Sequence, residues 1–135
     1  SIFKNKLIPL TFSSLGETGY GKRYGANLVE YGDDLYLLGG ENNKLLKYNI
    51  ALNKWTKISE NIIESQWGAA KVVGATIYAI GGRNATDGKI VKNQSYDLVN
   101  NTTAEFADML YPVKYMGSVV HNGQIYILGG HLEKR

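Results

Sequence analysis

The chain has 135 residues, 44% of them hydrophobic and 20% charged, with a formal net charge of +3. That is one domain's worth of chain with the composition of an ordinary soluble globular protein. No stretch approaches the roughly 18 consecutive apolar residues of a membrane helix, and the absence of cysteine excludes disulfides, thiolate metal sites and a cysteine nucleophile.

The N-terminus, Ser1-Ile2-Phe3-Lys4-Asn5-Lys6, lacks the apolar core of a secretory leader. A cytoplasmic compartment is expected over an exported one, although a lack of cysteine fixes neither. Residues 1–3 and 7–12 read as two short strands around a Lys-Asn-Lys turn. Pro9 suits an outermost edge strand, where its missing N–H faces solvent.

From residue 23 one pattern is written three times. It opens with Arg23-Tyr24-Gly25-Ala26, Gln66-Trp67-Gly68-Ala69 and Tyr115-Met116-Gly117-Ser118. Each is followed by an apolar stretch, a polar turn (Gly32-Asp33-Asp34, Gly74-Ala75-Thr76, Asn122-Gly123-Gln124) and a strand ending in Gly-Gly. Those strands end Tyr36-Leu37-Leu38-Gly39-Gly40, Tyr78-Ala79-Ile80-Gly81-Gly82 and Tyr126-Ile127-Leu128-Gly129-Gly130, and their first glycines fall 42 and 48 residues apart. Gly and Asn tolerate positive φ, so these turns predict hairpins. The first hairpin covers 26–31 with 35–38, the second 69–73 with 77–80, the third 118–121 with 125–128. Outer strands are expected at 45–49 with 54–58 and at 92–97 with 103–107. The strands entering Gly-Gly are nearly continuous apolar runs, which predicts burial on both faces. Repeats of this period point to strand-rich propeller blades.

A strand ending in Gly-Gly, then Tyr48-Asn49 or Tyr96-Asp97, then Trp55 after a short turn, resembles the kelch repeat family over residues 20–131. The resemblance implies an all-β kelch β-propeller built from blades of four antiparallel strands. About three blades' worth are present: repeats at about 24–66 and 67–114, and a split blade formed by 115–135 with 1–13. Trp55 is expected to fill the gap between adjacent blades, burying on the order of 150–250 Å². The second repeat departs from the pattern. Thr103 stands where the aromatic should be and Phe106 is the nearest ring, so its outer strand is expected to be shifted or bulged. Three blades cannot close a ring that typically needs about four to eight. The chain is therefore expected either to join further blades or to self-associate, two copies making a six-bladed homodimer.

Catalytic signals are sparse. His121 reads as an exposed turn residue and Asp33-Asp34 as turn chemistry. Gly19-Tyr20-Gly21-Lys22-Arg23 lacks the spacing of a phosphate-binding loop, and there is no Gly-x-Ser-x-Gly or zinc motif. The lysines are scattered, without a basic run, so nucleic acid is not an expected partner. No metal or cofactor is expected either.

The resemblance implies that loops at one end of the blades form a partner-binding face around the central channel. Carried over residue by residue, its contacts are Arg23, Gln66 and Tyr115, two before the inner-strand glycine, and Arg83, Asn84 and His131 after Gly-Gly. The loop 83–92 is the longest of its kind here, and Gly82-Arg83-Asn84 is similar to the loop of a kelch adaptor that captures acidic peptides. A planar guanidinium binds carboxylates bidentately. The leading expectation is a non-catalytic interaction module for a protein or acidic peptide. The alternatives are a sugar-binding or sialic acid mutarotase-like propeller and a structural self-assembling array. The copper oxidase chemistry of the family needs a cross-linked cysteine, which this chain lacks.

Overall fold

A computed structural model describes residues 17–89, 91–107 and 113–132. Among the described residues the chain is all β, without a helix. The first sheet is a four-stranded antiparallel meander of β1 (Ala26–Tyr31), β2 (Asp34–Gly39), β3 (Leu45–Asn49) and β4 (Lys54–Ser59). The second repeats it with β5 (Ala69–Val73), β6 (Thr76–Ile80), β7 (Gln94–Asp97) and β8 (Thr102–Glu105). Then come β9 (Val113–Lys114), β10 (Gly117–His121), β11 (Gln124–Leu128) and β12 (His131–Leu132). β10 and β11 form a third hairpin, and β9 pairs with β12 outside it. The two-residue strands β9 and β12 carry no sequence signal of their own. The strands expected at 1–3 and 7–12 lie outside the described residues.

Local chemistry accounts for the hairpins. Gly32 and Gly74 take φ of 61° and 62° at the first position of two-residue turns, where a type II′ turn requires glycine, and Asn122-Gly123 take 51° and 74°, the paired positive φ of a type I′ turn. The Gly-Gly pairs have a second cause. Gly82 has φ 81°, and a Cβ there would lie 2.7 Å from the Gln66 carbonyl oxygen and 2.8 Å from the Gly68 nitrogen. No L side chain fits where the linker crosses so closely.

The core lies between the first two sheets. Strand alternation puts Val29, Tyr36, Leu38 and Leu45 on one face of the first sheet, where they meet Ala70, Ile77 and Tyr96 of the second. Ile62, from the linker between the sheets, joins the cluster. Burying a large apolar side chain of this kind contributes about 1.5–3 kcal/mol. The same burial pushes the Tyr36 and Tyr96 phenols above their ordinary pKa. A buried glutamine ties the linker to the second sheet: Gln94 Nε2 donates to Ile63 O at 2.9 Å, and Ile63 N–H donates to Gln94 Oε1 at 3.0 Å. The innermost strands β1, β5 and β10 lie side by side, with β5 in the middle. They line an axial recess of about 340 Å³ with Leu28, Glu30, Ala70, Val72 and Val119.

One expectation is narrowed and two need correction. Trp55 is the cross-strand partner of Tyr48, ring centroids 4.9 Å apart, on the face turned away from the second sheet. It lies outside the seam between these two blades, on the other face of its own blade. The outer strand of the second repeat is in register, with Tyr96 directly opposite Thr103. Phe106 instead meets Tyr78 edge-on at 5.5 Å. The bulge is in the first repeat, between Leu45 and Leu46. Finally, β11 is not buried on both faces. Its residues alternate exposed and half-buried because no described strand covers the side away from β5–β8.

Candidate functional site

The register defines which positions repeat. Leu38, Ile80 and Leu128 pair with Asn27, Ala69 and Gly117. Three residues upstream stand Tyr24, Gln66 and Lys114; next to them stand Gly25, Trp67 and Tyr115; and Arg23 shares its place with Ser65 and Val113. Arg23, Gln66 and Tyr115 are thus not equivalent, contrary to the expectation from the sequence. Aligning on glycine slides the first and third repeats by one residue in opposite senses, because Gly25 occupies the left-handed position that Trp67 and Tyr115 fill in the other repeats. Their φ values are 71°, 59° and 59°.

That left-handed position is a ladder. Trp67 N–H donates to Gly25 O at 2.9 Å, and Tyr115 N–H donates to Trp67 O at 2.9 Å. Bulky aromatic residues rarely adopt positive φ, and such strain persists only where the surroundings enforce it. The backbone bonds between blades enforce it here.

On the ladder sits a stack of four side chains. Arg83 Cζ lies 5.5 Å from the Trp67 ring centroid, the Trp67 and Tyr115 rings are 5.4 Å apart and tilted by 46°, and Lys114 Nζ lies 5.0 Å over Tyr115. Contacts of this kind contribute about 0.5–1 kcal/mol when exposed and more when desolvated. Arg83 is further held by a backbone bridge to Gln66, with N–H···O bonds of 2.8 and 2.9 Å. Its Nε is buried and has no hydrogen-bond partner among the described residues. His131 is exposed and pairs with Lys114 across β12 and β9.

The other candidates are more occupied. Gln66 is buried, its Nε2 donating to Glu41 Oε1 at 3.1 Å. The Asn84 side-chain oxygen accepts from Thr86 N–H at 2.8 Å and so holds the turn at the tip of its loop. Arg23 donates through Nη1 to Gly39 O at 3.1 Å, the job that Ser65 Oγ performs for Gly81 O at 2.8 Å. Its Nε and Nη2 are buried without partners among the described residues, and burial lowers its pKa. Beside it opens a recess of about 630 Å³ lined by Glu17, Thr18, Lys22, Arg23 and Leu37. The loop end therefore gathers Gln66, Arg83, Tyr115 and His131 into one band, with Arg23 at its edge and Asn84 set back in its own loop.

Trp67, Lys114 and the exposed Tyr24 join the face without having been singled out as contacts in the sequence. The available signal was an aromatic residue next to the glycine that opens an inner strand. Among the described residues no three His, Cys, Asp or Glu side chains cluster as a metal site, and no helix is long and apolar enough to cross a membrane.

No protein-family model matches the chain. Individual relatives do. It is 32% identical over 111 residues to Kelch-like protein terF of Aspergillus terreus, covering 74% of this chain and 24% of that protein. It is 31% identical over 101 residues to Kelch-like protein 6 of Homo sapiens, covering 73% of this chain and 16% of that protein. The chain belongs to the kelch repeat family. The solved structure of YjhT matches with a TM-score of 0.74 at 18% identity, over 87% of this chain and 37% of that one. The fold is accordingly a partial kelch β-propeller, whose described residues form two four-stranded blades and the inner hairpin of a third. This kelch segment spans about a quarter or less of the length of the two Kelch-like relatives.

Proposed function

We propose that the loop end of these kelch blades is a non-catalytic docking face for a protein or peptide partner with acidic side chains. The observation that carries this reading is the Arg83–Trp67–Tyr115–Lys114 stack. It sets two cations around two aromatic rings on a rigid backbone ladder. A guanidinium already stacked on an indole loses little freedom on meeting a carboxylate, and pre-organisation of this kind strengthens binding. Tyr115 adds exposed ring surface, and Tyr and Arg are the residue types that dominate protein interfaces. Arg23 extends the positive surface at one edge, and the exposed His131 and the buried Gln66 complete the band.

The test is a pull-down with acidic peptides run beside a glycan array. Acidic peptides should bind, and Arg83→Ala should weaken binding about tenfold or more, since a charged hydrogen bond contributes about 1.5–3 kcal/mol. Arg83→Lys should recover part of the loss but lack the planar fork. Binding to sugars alone would replace this reading with the carbohydrate-binding one. Peptide binding indifferent to Arg83→Ala and Trp67→Ala would remove the site assignment.

A further inference from the structure

We propose that Glu41 and Gln66 form a cation-binding subsite beside the Arg83 stack, so that the loop face takes a partner carrying a basic side chain next to its acidic one. This rests on the docking reading above and deepens it. The two junctions between blades present the same repeat positions with opposite charge. Glu41 and Arg83 are each the first residue after Gly-Gly in their blades. By register, Gln66 and Lys114 hold the same place upstream of β5 and β10. At the second junction these positions are Arg83 and Lys114, two cations around two rings. At the first they are Glu41 and Gln66, a carboxylate and an amide. The linker sets the two junctions side by side: Ser65 bridges to Gly40, next to Glu41, and Gln66 bridges to Arg83.

The first junction is short of one partner. Glu41 is exposed and forms no ion pair among the described residues. Its Oε1 accepts from Gln66 Nε2 at 3.1 Å. That bond fixes the orientation of the amide, since the reverse would set its oxygen against the carboxylate. Gln66 Oε1 is then left buried without a hydrogen-bond partner, in a residue only 2% exposed. A buried acceptor left unmade is costly, and the carboxylate beside it selects the donor. A lysine ammonium or an arginine guanidinium has N–H groups to spare and a positive charge. Either can bond Gln66 Oε1 and pair with Glu41 at once. On the other flank of Gln66 the situation is reversed. Arg83 Nε is a buried donor without a partner among the described residues, and it calls for an acceptor. Glu41 and Arg83 do not pair with each other, so the face keeps both charges. A uniformly acidic partner meets repulsion at Glu41, whereas one of mixed charge meets attraction at both junctions.

The experiment is calorimetric titration of the full chain with peptides that share one glutamate. A second position, moved stepwise away from that glutamate on either side, is lysine, alanine or glutamate. At one spacing lysine should bind about tenfold tighter than alanine, as a charged hydrogen bond predicts, and glutamate weaker than either. Glu41→Gln keeps an acceptor for Gln66 Nε2 and should bring the lysine and alanine peptides to the same affinity. Glu41→Lys should reverse the order in favour of the second glutamate. Near-ultraviolet dichroism from Trp55 and Trp67 should match wild type in both variants, which separates lost recognition from lost folding. If no glutamate peptide binds the wild type, the docking reading falls and the subsite falls with it. If glutamate peptides bind but lysine gives no gain at any spacing, or the gain survives Glu41→Gln, the subsite alone is overturned and the docking reading stands.

Discussion

The outward edge of β2 and that of β11 carry matching side chains and meet opposite fates. Tyr36 and Leu38 are sealed by the second blade, whereas Tyr126 and Leu128 face water. The sequence around them is near enough the same that the difference cannot lie in the strands. It lies in what stands next to them. A propeller blade is apolar on both faces because each face serves a neighbour, so burial here is a property of position in the ring. The sharpest test is to make the same change twice. Leu38→Ala should destabilise by about 2–5 kcal/mol, the cost of truncating a buried leucine. Leu128→Ala, at the same register position in the third repeat, should cost no more than about 0.5 kcal/mol as an exposed substitution, measured by urea denaturation of chain held monomeric. A large loss at Leu128 in the monomer would mean that something within the chain covers that face.

The strands were legible because they obey local rules. Alternation, Gly-Gly ends and Asn-Gly or Gly-x turns placed every strand of the two sheets and the third hairpin within two residues. What could not be read was set between blades. Trp67 and Tyr115 adopt positive φ because their backbone is bonded to the preceding blade, and a glycine in that place in the first repeat invites an alignment one residue out. Arg23 therefore looks like a repeat of Gln66 in the sequence, whereas in space it stands in for Ser65. The pairing of β9 with β12 joins segments 17 residues apart and leaves no periodic trace. Arg83 and Tyr115 were legible as candidates from the loops they occupy; the tryptophan between them was not, since an aromatic before a strand reads as core.

A second asymmetry separates the linkers. The linker into the second blade is clamped by Gln94, whose amide bonds both backbone groups of Ile63. The register-equivalent residue in the first blade is Leu46, which is buried but has no such group to offer. Gln94→Ala should strand two backbone groups and cost about 2–4 kcal/mol, each unsatisfied buried group contributing about 1–3 kcal/mol. Hydrogen exchange at Ile63 should accelerate while the β1–β2 amides keep their protection. Gln94→Leu, matching the first blade, should rescue packing but not the exchange of Ile63. Equal exchange in all variants would place the linker's stability elsewhere.

The outer turns repeat with a smaller difference. Tyr48 OH donates to Asn53 Oδ1 in the first blade, and Tyr96 OH donates to Asn101 Oδ1 at 3.1 Å in the second. Both asparagines have positive φ, 50° and 55°. Asn101→Ala should lose a hydrogen bond and strain the backbone, about 1–2 kcal/mol in all. Asn53→Ala should match it if the two turns are the same device. A clear inequality would mean that the Trp55 ring on Tyr48, absent from the second blade, carries the first turn by itself.

The smallest expected effect comes from one atom pair in those same turns. Asn49 and Asp97 occupy equivalent places. Asn49 Oδ1 accepts from Leu52 N–H at 2.9 Å, and Asp97 Oδ1 accepts from Val99 and Asn100 N–H at 2.8 and 3.0 Å. The amide is indifferent to pH. The carboxylate is not: the Asn100 backbone and side-chain bonds, with the Val99 N–H, hold its pKa below the ordinary aspartate value. A folded-state pKa below the unfolded one adds stability that is present above about pH 4 and is lost as the pH falls through the folded value. Asp97 is exposed enough for solvent to keep the effect modest. Exchange of the Val99 and Asn100 amides should therefore speed up in acid while that of Leu52 holds, and Asp97→Asn should make the second turn behave like the first. If the acid sensitivity of the second turn survives Asp97→Asn, the titrating group is another carboxylate, and the two turns differ by more than this one substitution.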